Sequence, residues 1–359
     1  MRVLLTAVAA LIGVMPIGAA ARAEPATPVT WGVAPSGKSG PNGRSSFTYK
    51  LDPGAVLTDY AAISNYSAQP ITVDVYASDA LTTATGAFDL LPAAQKPTDV
   101  GSWVAFEPAY RRMVIPSKSR MDVPFRIRVP ENATPGDHAG GIVASIASPE
   151  SDDQGNRVRV DRRVGARIYL RVTGEMLPAL SVEQTEARYT GNLNPFGPGS
   201  LTVTYRVRNT GNVRLTGRPQ VHVAGPLGLG SGTTQLADLP ELLPGGVFTT
   251  TVRVDRIRPL VRLDLDLGVM PVPVGDQGIG TTMASRSATV WALPWPQLVL
   301  LLLIVVASWL MIRRRRAIAR ALADARAQGR ADAMASARTT EPTDGTADHS
   351  PTETARGSS

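Results

Sequence analysis

Apolar and polar residues alternate along most of this chain before about residue 290. The period is clear in residues 47–51 (FTYKL), 71–76 (ITVDVY) and 123–129 (VPFRIRV), and a turn pair, Pro53-Gly54, follows the first of them. Successive side chains of a β-strand point to opposite faces of the sheet, so this period predicts half-buried strands of about 5–6 residues. No helical period of comparable strength precedes residue 290, and the class predicted is all-β.

The alternation continues in a second group of segments with a similar order of turns. These segments are residues 201–207, 220–223, 248–254 and 263–269. Each half has a strand that runs into an asparagine turn, and later a turn followed by a long alternating strand. Short strands separated by frequent turns are typical of immunoglobulin-like sandwiches. We therefore predict two tandem immunoglobulin-like β-sandwich domains, residues 24–175 and 176–288. Residues 152–163 are predicted to be a polar hairpin tip of the first.

One uninterrupted apolar segment follows the second group. Residues 293–312 read LPWPQLVLLLLIVVASWLMI and carry no charge. About twenty residues at ~1.5 Å each span about 30 Å, the thickness of the hydrocarbon core of a bilayer. We predict a transmembrane helix over residues 291–312, with the indoles of Trp291 and Trp295 at the membrane interface.

Four consecutive arginines, Arg313, Arg314, Arg315 and Arg316, follow that segment and predict its orientation. Clustered basic residues stay on the cytoplasmic side. Residues 1–23 combine a basic start, an apolar stretch and an A-x-A site, as a cleaved signal peptide does. The expectation is a single-pass type I membrane protein of the cell surface, with the C-terminus in the cytoplasm. The tail, residues 313–359, is predicted to be basic, helical at first and then disordered.

Charge and composition exclude several classes of function. The chain has a net charge of +7, but basic and acidic residues are nearly balanced between the predicted signal and anchor. The basic excess therefore suits membrane topology and contact with anionic lipid, and no nucleic-acid partner is expected. The chain has no cysteine and three histidines that lie far apart, His138, His222 and His349. Neither a metal site nor a cofactor is predicted.

One motif match is misleading. Residues 32–39 (GVAPSGKS) fit the phosphate-loop pattern G-x-x-x-x-G-K-S, but residues 40–43 (GPNG) cannot begin the helix that such a loop requires. We interpret the segment as a flexible N-terminal arm. The G-x-S-x-G and S-x-x-K patterns of acyl-transfer enzymes are absent from the sequence. No catalytic set is apparent, and the protein is predicted not to be an enzyme.

Aromatic residues beside hydrogen-bond donors are the best candidates for a binding surface. Trp103, Tyr110 and Arg111 lie close together, and His138 lies in a glycine-rich turn. Exposed aromatic rings can stack on sugars while Arg and His donate hydrogen bonds to hydroxyl groups. The alternative is that Trp103 and Tyr110 belong to the core or its rim.

Residues 28–150 resemble a known family. The turn at Pro53-Gly54, the Asn-turn-Pro of residues 65–70 before ITVDVYA, and residues 135–142 (PGDHAGGI) carry the resemblance. They are similar to the N-terminal peptidoglycan-binding domain of the WxL-interacting proteins of Gram-positive bacteria. The resemblance implies that the first sandwich contacts peptidoglycan. The alternative is a surface module for protein–protein interaction, adhesion or assembly without glycan affinity.

Overall fold

A computed structural model describes residues 29–151, 156–275 and 278–338 of this protein. The predicted signal peptide, residues 1–23, lies outside the described residues. So does the part of the tail predicted to be disordered, residues 339–359.

The first eleven strands form two sheets, which we call the first sheet pair. Sheet 1 has the strand order β2-β1-β4-β9-β7, and sheet 2 has the order β3-β11-β10-β5-β6, with β8 also paired to β5. All pairs are antiparallel except β3 with β11. The strands are β1 (Trp31–Gly37), β2 (Gly40–Pro41), β3 (Phe47–Leu51), β4 (Val56–Asn65), β5 (Ile71–Thr82), β6 (Phe88–Leu90), β7 (Val104–Phe106), β8 (Arg112–Ile115), β9 (Arg120–Arg128), β10 (Gly136–Ser151) and β11 (Arg157–Val172).

The remaining strands form the second sheet pair. Sheet 3 has the order β12-β13-β16, and sheet 4 has the order β15-β14-β17-β18. The strands are β12 (Leu180–Thr190), β13 (Gly199–Asn209), β14 (Leu215–Ala224), β15 (Gly232–Gln235), β16 (Val247–Ile257), β17 (Val261–Pro273) and β18 (Ala284–Ala292), with a 3₁₀ turn at Pro226–Gly228. The predicted all-β, immunoglobulin-like sandwich architecture is confirmed.

Each sheet pair encloses its own hydrophobic cluster. In the first, alternate residues of sheets 1 and 2 point inward, and the rings of Phe47 and Phe125 meet edge to face at 5.1 Å. In the second, Tyr205 and Leu215 lie among fully buried aliphatic side chains. The predicted period-2 strands therefore bury the faces that their apolar residues occupy.

A buried asparagine at the end of one strand in each sheet pair explains the internal similarity of the two halves. The amide of Asn65 donates to the carbonyls of Gln69 and Ile115, and its Oδ1 accepts the amide of Ser67. Asn209 bonds in the same way: its side-chain amide donates to the carbonyls of Val213 and Leu242, and its Oδ1 accepts the backbone amide two residues ahead. The side chain thus completes the turn and joins it to a second segment.

Boundaries of the predicted segments need several corrections. The predicted division at residue 175 falls between β11 and β12, but β18 continues past residue 288 to Ala292. Residues 157–163 of the predicted hairpin tip belong to β11, and residues 152–155 lie outside the described residues. The division into two independent domains stays a prediction, because the sheet pairs share the contacts described next.

A buried ion-pair network joins the two sheet pairs. Asp137 of β10 is bonded twice by the Arg171 guanidinium, at 2.6 and 2.8 Å, and accepts the backbone amide of Arg214 at 2.8 Å. The Arg214 guanidinium lies 3.9 Å from the centre of the Tyr169 ring. Asn212 adds a hydrogen bond to the carbonyl of Pro135. These contacts hold the turn between β13 and β14 against the start of β10.

The sequence pattern predicted helix only in the anchor and tail, but the structure also has helix elsewhere. Two four-residue helices, α1 (Val100–Trp103) and α2 (Pro108–Arg111), flank β7. The phosphate-loop-like segment is not a flexible arm, because most of it forms β1, which pairs with β4.

The third helix, α3 (Trp295–Arg338), is long and apolar enough to span a membrane. It begins at Trp295, so the expected start at residue 291 is wrong. Trp291 and Ala292 instead complete β18 opposite Arg262 and Val261. The predicted helix at the start of the tail is confirmed, since α3 continues through the arginine cluster.

Candidate functional site

The outer face of sheet 1 carries an open depression, which we call the furrow. Its larger part has a volume of about 890 Å³, and a second hollow of about 280 Å³ adjoins it along β7 and β9. Both parts share Ala105 and Arg126. The lining side chains include Val56, Thr58, Trp103, Ala105, Pro124, Arg126, Arg128 and Glu131.

The alternation of β9 explains why two arginines line the furrow. Phe125 and Ile127 point into the first hydrophobic cluster, so Arg126 and Arg128 point outward. Neither guanidinium makes a hydrogen bond or an ion pair with the part of the chain that the structure describes. The small side chain of Ala105 on the neighbouring edge strand leaves the space that forms the hollow. The sequence pattern predicts this strand, but it does not identify the outward residues Arg126 and Arg128 as part of a binding site.

A buried carboxylate positions Trp103 at one end of the furrow. Asp79 of β5 accepts the backbone amides of Thr98, Asp99 and Gly101 at 2.6–2.9 Å. A Cβ at Gly101 would lie only 2.6 Å from the backbone of Ser78, so a larger residue there would push α1 away from the sheet. The short helix is therefore held close to β5, with Trp103 at its last position.

His138 packs against Trp103 and is tied to the protein through both ring nitrogens. The ring centroids are 4.8 Å apart. His138 Nδ1 lies 2.7 Å from the Asp99 carboxylate, and Nε2 lies 2.8 Å from the carbonyl of Thr134. Both neighbours are acceptors, so the doubly protonated ring satisfies both. Burial alone would lower the pKa of His138, but these hydrogen bonds and the charges of Asp99 and Asp137 outweigh it and raise the pKa above 6.5.

The four predicted binding residues do not form one site. Trp103 lines the furrow, and His138 lines a separate cavity of about 340 Å³ between the two sheet pairs, together with Asp137 and Asn212. Tyr110 and Arg111 lie on α2 and line neither cavity. Trp103 and Tyr110 are both half-buried and pack against the first hydrophobic cluster, as the alternative interpretation expected. A ligand-binding role for these four residues stays a prediction.

The stability of the protein should depend on pH through His138. Because the pKa of the folded-state ring is raised, its stabilising contribution is complete below about pH 6.5 and is lost as pH rises through the folded-state pKa. We expect the unfolding midpoint of the full chain in detergent to be lower at pH 8 than at pH 6. The difference between the two pH values should be smaller in His138→Gln. Equal slopes for both proteins would contradict the assignment.

Metal chemistry has no evident position in the described residues. Within the ranges given above, no group of three or more His, Asp or Glu side chains converges as metal ligands would. The predicted topology residues, Arg313 to Arg316, are exposed on α3, and the Arg313 guanidinium lies 4.8 Å from the centre of the Trp309 ring.

Comparisons with known proteins include structural neighbours that are distant in sequence. No protein-family model matches the chain, and no curated protein matches it in sequence. A solved chaperone–tip adhesin complex of CFA/I fimbriae is 11% identical, with a TM-score of 0.37 over 72% of this chain and 98% of that one. The Salmonella enterica SafA pilin complex with the SafB chaperone is 12% identical, with a TM-score of 0.30 over 74% and 99%. No function of this chain follows from neighbours so distant.

Proposed function

We propose that this protein is a non-enzymatic binding protein, held in the membrane by α3, whose furrow takes an extended acidic polypeptide segment of another surface protein. The observation that carries the proposal is the pair of free guanidinium groups of Arg126 and Arg128 on an open sheet face. An unpaired guanidinium is a strong donor for carboxylates, and two of them at alternate positions of one strand match alternate side chains of an extended partner.

The edge of sheet 1 supports a polypeptide as the occupant. The edge strand β7 pairs only with β9 among the described strands, so its other edge has backbone groups available beside the furrow. Extended peptides commonly join such an edge through main-chain hydrogen bonds and place alternate side chains in neighbouring pockets. Ala105 provides the pocket, and the arginines provide the charge.

The orientation in the membrane is part of the same proposal. The two sheet pairs act as two domains on the outer side, residues 24 to about 292, and residues 313–359 lie in the cytoplasm. The length and apolar composition of α3 and the four arginines that follow its apolar part support this arrangement. The protein would then present the furrow at the cell surface.

Peptidoglycan is the second candidate ligand of the furrow. The observation in its favour is Trp103, whose indole lies in the furrow beside the two arginine donors. Against it, the indole packs on His138 and on the first hydrophobic cluster, which leaves less of the ring free for stacking on a sugar. The resemblance of residues 28–150 to the WxL-interacting proteins also implies peptidoglycan as the ligand. We therefore rank peptidoglycan below a protein ligand.

Direct binding separates the two candidates. The probe is a fluorescent decapeptide of alternating Glu and Val, titrated against the full chain in detergent, with a Lys-Val peptide as the opposite-charge control. Arg126→Ser/Arg128→Ser removes two charge-assisted hydrogen bonds worth about 1.5–3 kcal/mol each, so affinity should fall by about 100-fold or more. The matched control is Arg218→Ser/Arg286→Ser, which makes the same charge change on sheet 4 and should bind as the unaltered protein does.

Sedimentation of the same proteins with purified peptidoglycan completes the test. Acidic-peptide binding that needs Arg126 and Arg128, without sedimentation, is the expected result. If the unaltered protein sediments with peptidoglycan and the Arg126/Arg128 variant does not, peptidoglycan and not the peptide is the ligand of the furrow. If neither ligand binds, or if both double variants bind equally, the furrow is not the binding site.

A further inference from the structure

One end of the second sheet pair, which we call the helix-side end, leads directly into α3. Strand register places three loops there. Val261 pairs with Ala292, Ala224 pairs with Asp264, and Gly199 pairs with Ile257. The loops are residues 191–198, 225–231 and 258–260.

The loop of residues 191–198 also touches the beginning of the helix. Gln297, in the first turn of α3, donates a hydrogen bond of 2.6 Å to the carbonyl of Pro195. The loop therefore lies beside the place where the chain turns into its apolar segment.

Large apolar side chains project from two of these loops into solvent. Leu193 is 94% exposed, Phe196 is 87% exposed, and Leu227 is fully exposed. Trp291 and Trp295, where the chain leaves β18 for α3, are also largely exposed. Single exposed apolar residues are common on protein surfaces, but a group of them at one end marks an interaction surface.

The backbone at this end adopts unusual conformations at several positions, and one of them is at the exposed Leu227. Of the four non-glycine residues with a left-handed φ in the described chain, three lie here: Leu227 at 57°, Arg256 at 65° and Val261 at 68°. Such a conformation is unfavourable for a β-branched residue like Val261. Strained backbone of this kind is found preferentially at functional sites.

The charge of this end is basic. Arg256 and Arg258 are exposed, and neither has an ion-pair partner among the described residues. The neighbouring carboxylates are already paired, Asp255 with Arg253 at 2.8 Å and Asp264 with Arg262 at 3.2 Å. Free guanidinium groups beside apolar tips suit a surface that combines phosphate groups with hydrocarbon.

The short connection to α3 identifies that surface. Only Leu293 and Pro294 separate β18 from the helix. Ala292 and Trp295 are three residue steps apart, and an extended residue spans at most about 3.6 Å, so the helix-side end can stand only about 11 Å from the helix start. A sheet pair so close to a membrane helix cannot keep its loop tips far from the lipid.

We propose that the helix-side end docks on the lipid surface, with Leu193, Phe196 and Leu227 inserted at the boundary of headgroups and acyl chains and with Arg256 and Arg258 facing lipid phosphates. This inference rests on the proposed membrane anchoring by α3. Amphipathic surfaces bind membranes through the same combination of apolar insertion and basic charge.

The absence of native cysteine makes the test simple. Single cysteines are introduced by Leu193→Cys, Phe196→Cys or Leu227→Cys, and each is labelled with an environment-sensitive fluorophore. The full chain is reconstituted in phosphatidylcholine–phosphatidylglycerol vesicles whose acyl chains carry bromine as a quencher. The matched control is Leu177→Cys, a half-exposed leucine at the opposite end of the same sheet pair. Val305→Cys, within the apolar part of α3, reports the anchor itself.

Strong quenching and blue-shifted emission are expected at the three loop positions and at Val305, but not at Leu177. Quenching at Val305 alone would overturn the lipid-docking inference and leave the anchor intact. Absence of quenching at Val305 would instead overturn the anchor. Loop emission that shifts with the protein-to-lipid ratio but is not quenched by bromine would assign the surface to a second copy of the chain.

Discussion

Asp137→Ala is expected to destabilise the protein by about 3–5 kcal/mol, the effect of removing one partner from a buried ion-pair network. The Asp137 side chain is only 3% exposed, and the substitution would leave the Arg171 and Arg214 side chains, which are 17% and 11% exposed, without their shared carboxylate. The backbone amide of Arg214 would also lose its acceptor. The measurement is denaturant unfolding of the full chain in detergent, followed by tryptophan fluorescence.

Asp255→Ala supplies the matched control for that measurement. Asp255 also pairs with an arginine at 2.8 Å, but both side chains are 67% exposed, so its removal should change stability by about 0–1 kcal/mol. Equal losses in the two variants would mean that the Asp137 network adds nothing beyond an ordinary surface pair. If only the second sheet pair loses stability in Asp137→Ala, the network stabilises the turn between β13 and β14. It then does not stabilise the contact between the two sheet pairs.

The sequence could predict the strands but not this network. Phe47, Phe125 and Ile127 stand at alternate positions, and their inward orientation follows from the pleat of a strand. Asp137 instead meets Arg171 and Arg214, which are 34 and 77 residues away along the chain. No local spacing links residues so distant, and the neighbouring sequence places Asp137 only in a glycine-rich turn.

The candidate site was predictable only in part, for the same reason. The period of VPFRIRV already implies that Arg126 and Arg128 share the face opposite to Phe125. That Ala105 leaves a hollow beside them depends on the pairing of β7 with β9, which the sequence does not show. The four-residue helices α1 and α2 are too short to produce a helical period, so the positions of Trp103 and Tyr110 were not predicted.

Charge and apolar length predicted the continuation of α3 better than its first residue. The apolar segment and the arginine cluster lie on one continuous helix, as their composition favours. The error at its start arose because Trp291 and Ala292 are apolar enough to extend the run, although they complete the ladder of β18. Hydropathy measures transfer to lipid and does not distinguish a helix from an edge strand that ends beside it.

Trp103→Ala is expected to reduce stability by about 3 kcal/mol, at the lower end of the range for buried tryptophan because the indole is only partly buried. The indole covers one side of the His138 ring and packs against the first hydrophobic cluster, so its removal opens a cavity beside α1. Trp103→Phe retains an aromatic ring on His138 and should lose less. Thermal unfolding of both variants in detergent gives the comparison.

A second readout separates the structural role of Trp103 from a role in binding. Removing the indole exposes the His138 ring to water, so the titration of that histidine by NMR should change in Trp103→Ala and stay closer to that of the unaltered protein in Trp103→Phe. If the furrow binds an acidic polypeptide through its arginines, Trp103→Phe should bind the Glu-Val peptide as the unaltered protein does. If Trp103→Phe is fully stable and yet loses sedimentation with peptidoglycan, the indole itself contacts the ligand. The glycan then replaces the polypeptide as the occupant of the furrow.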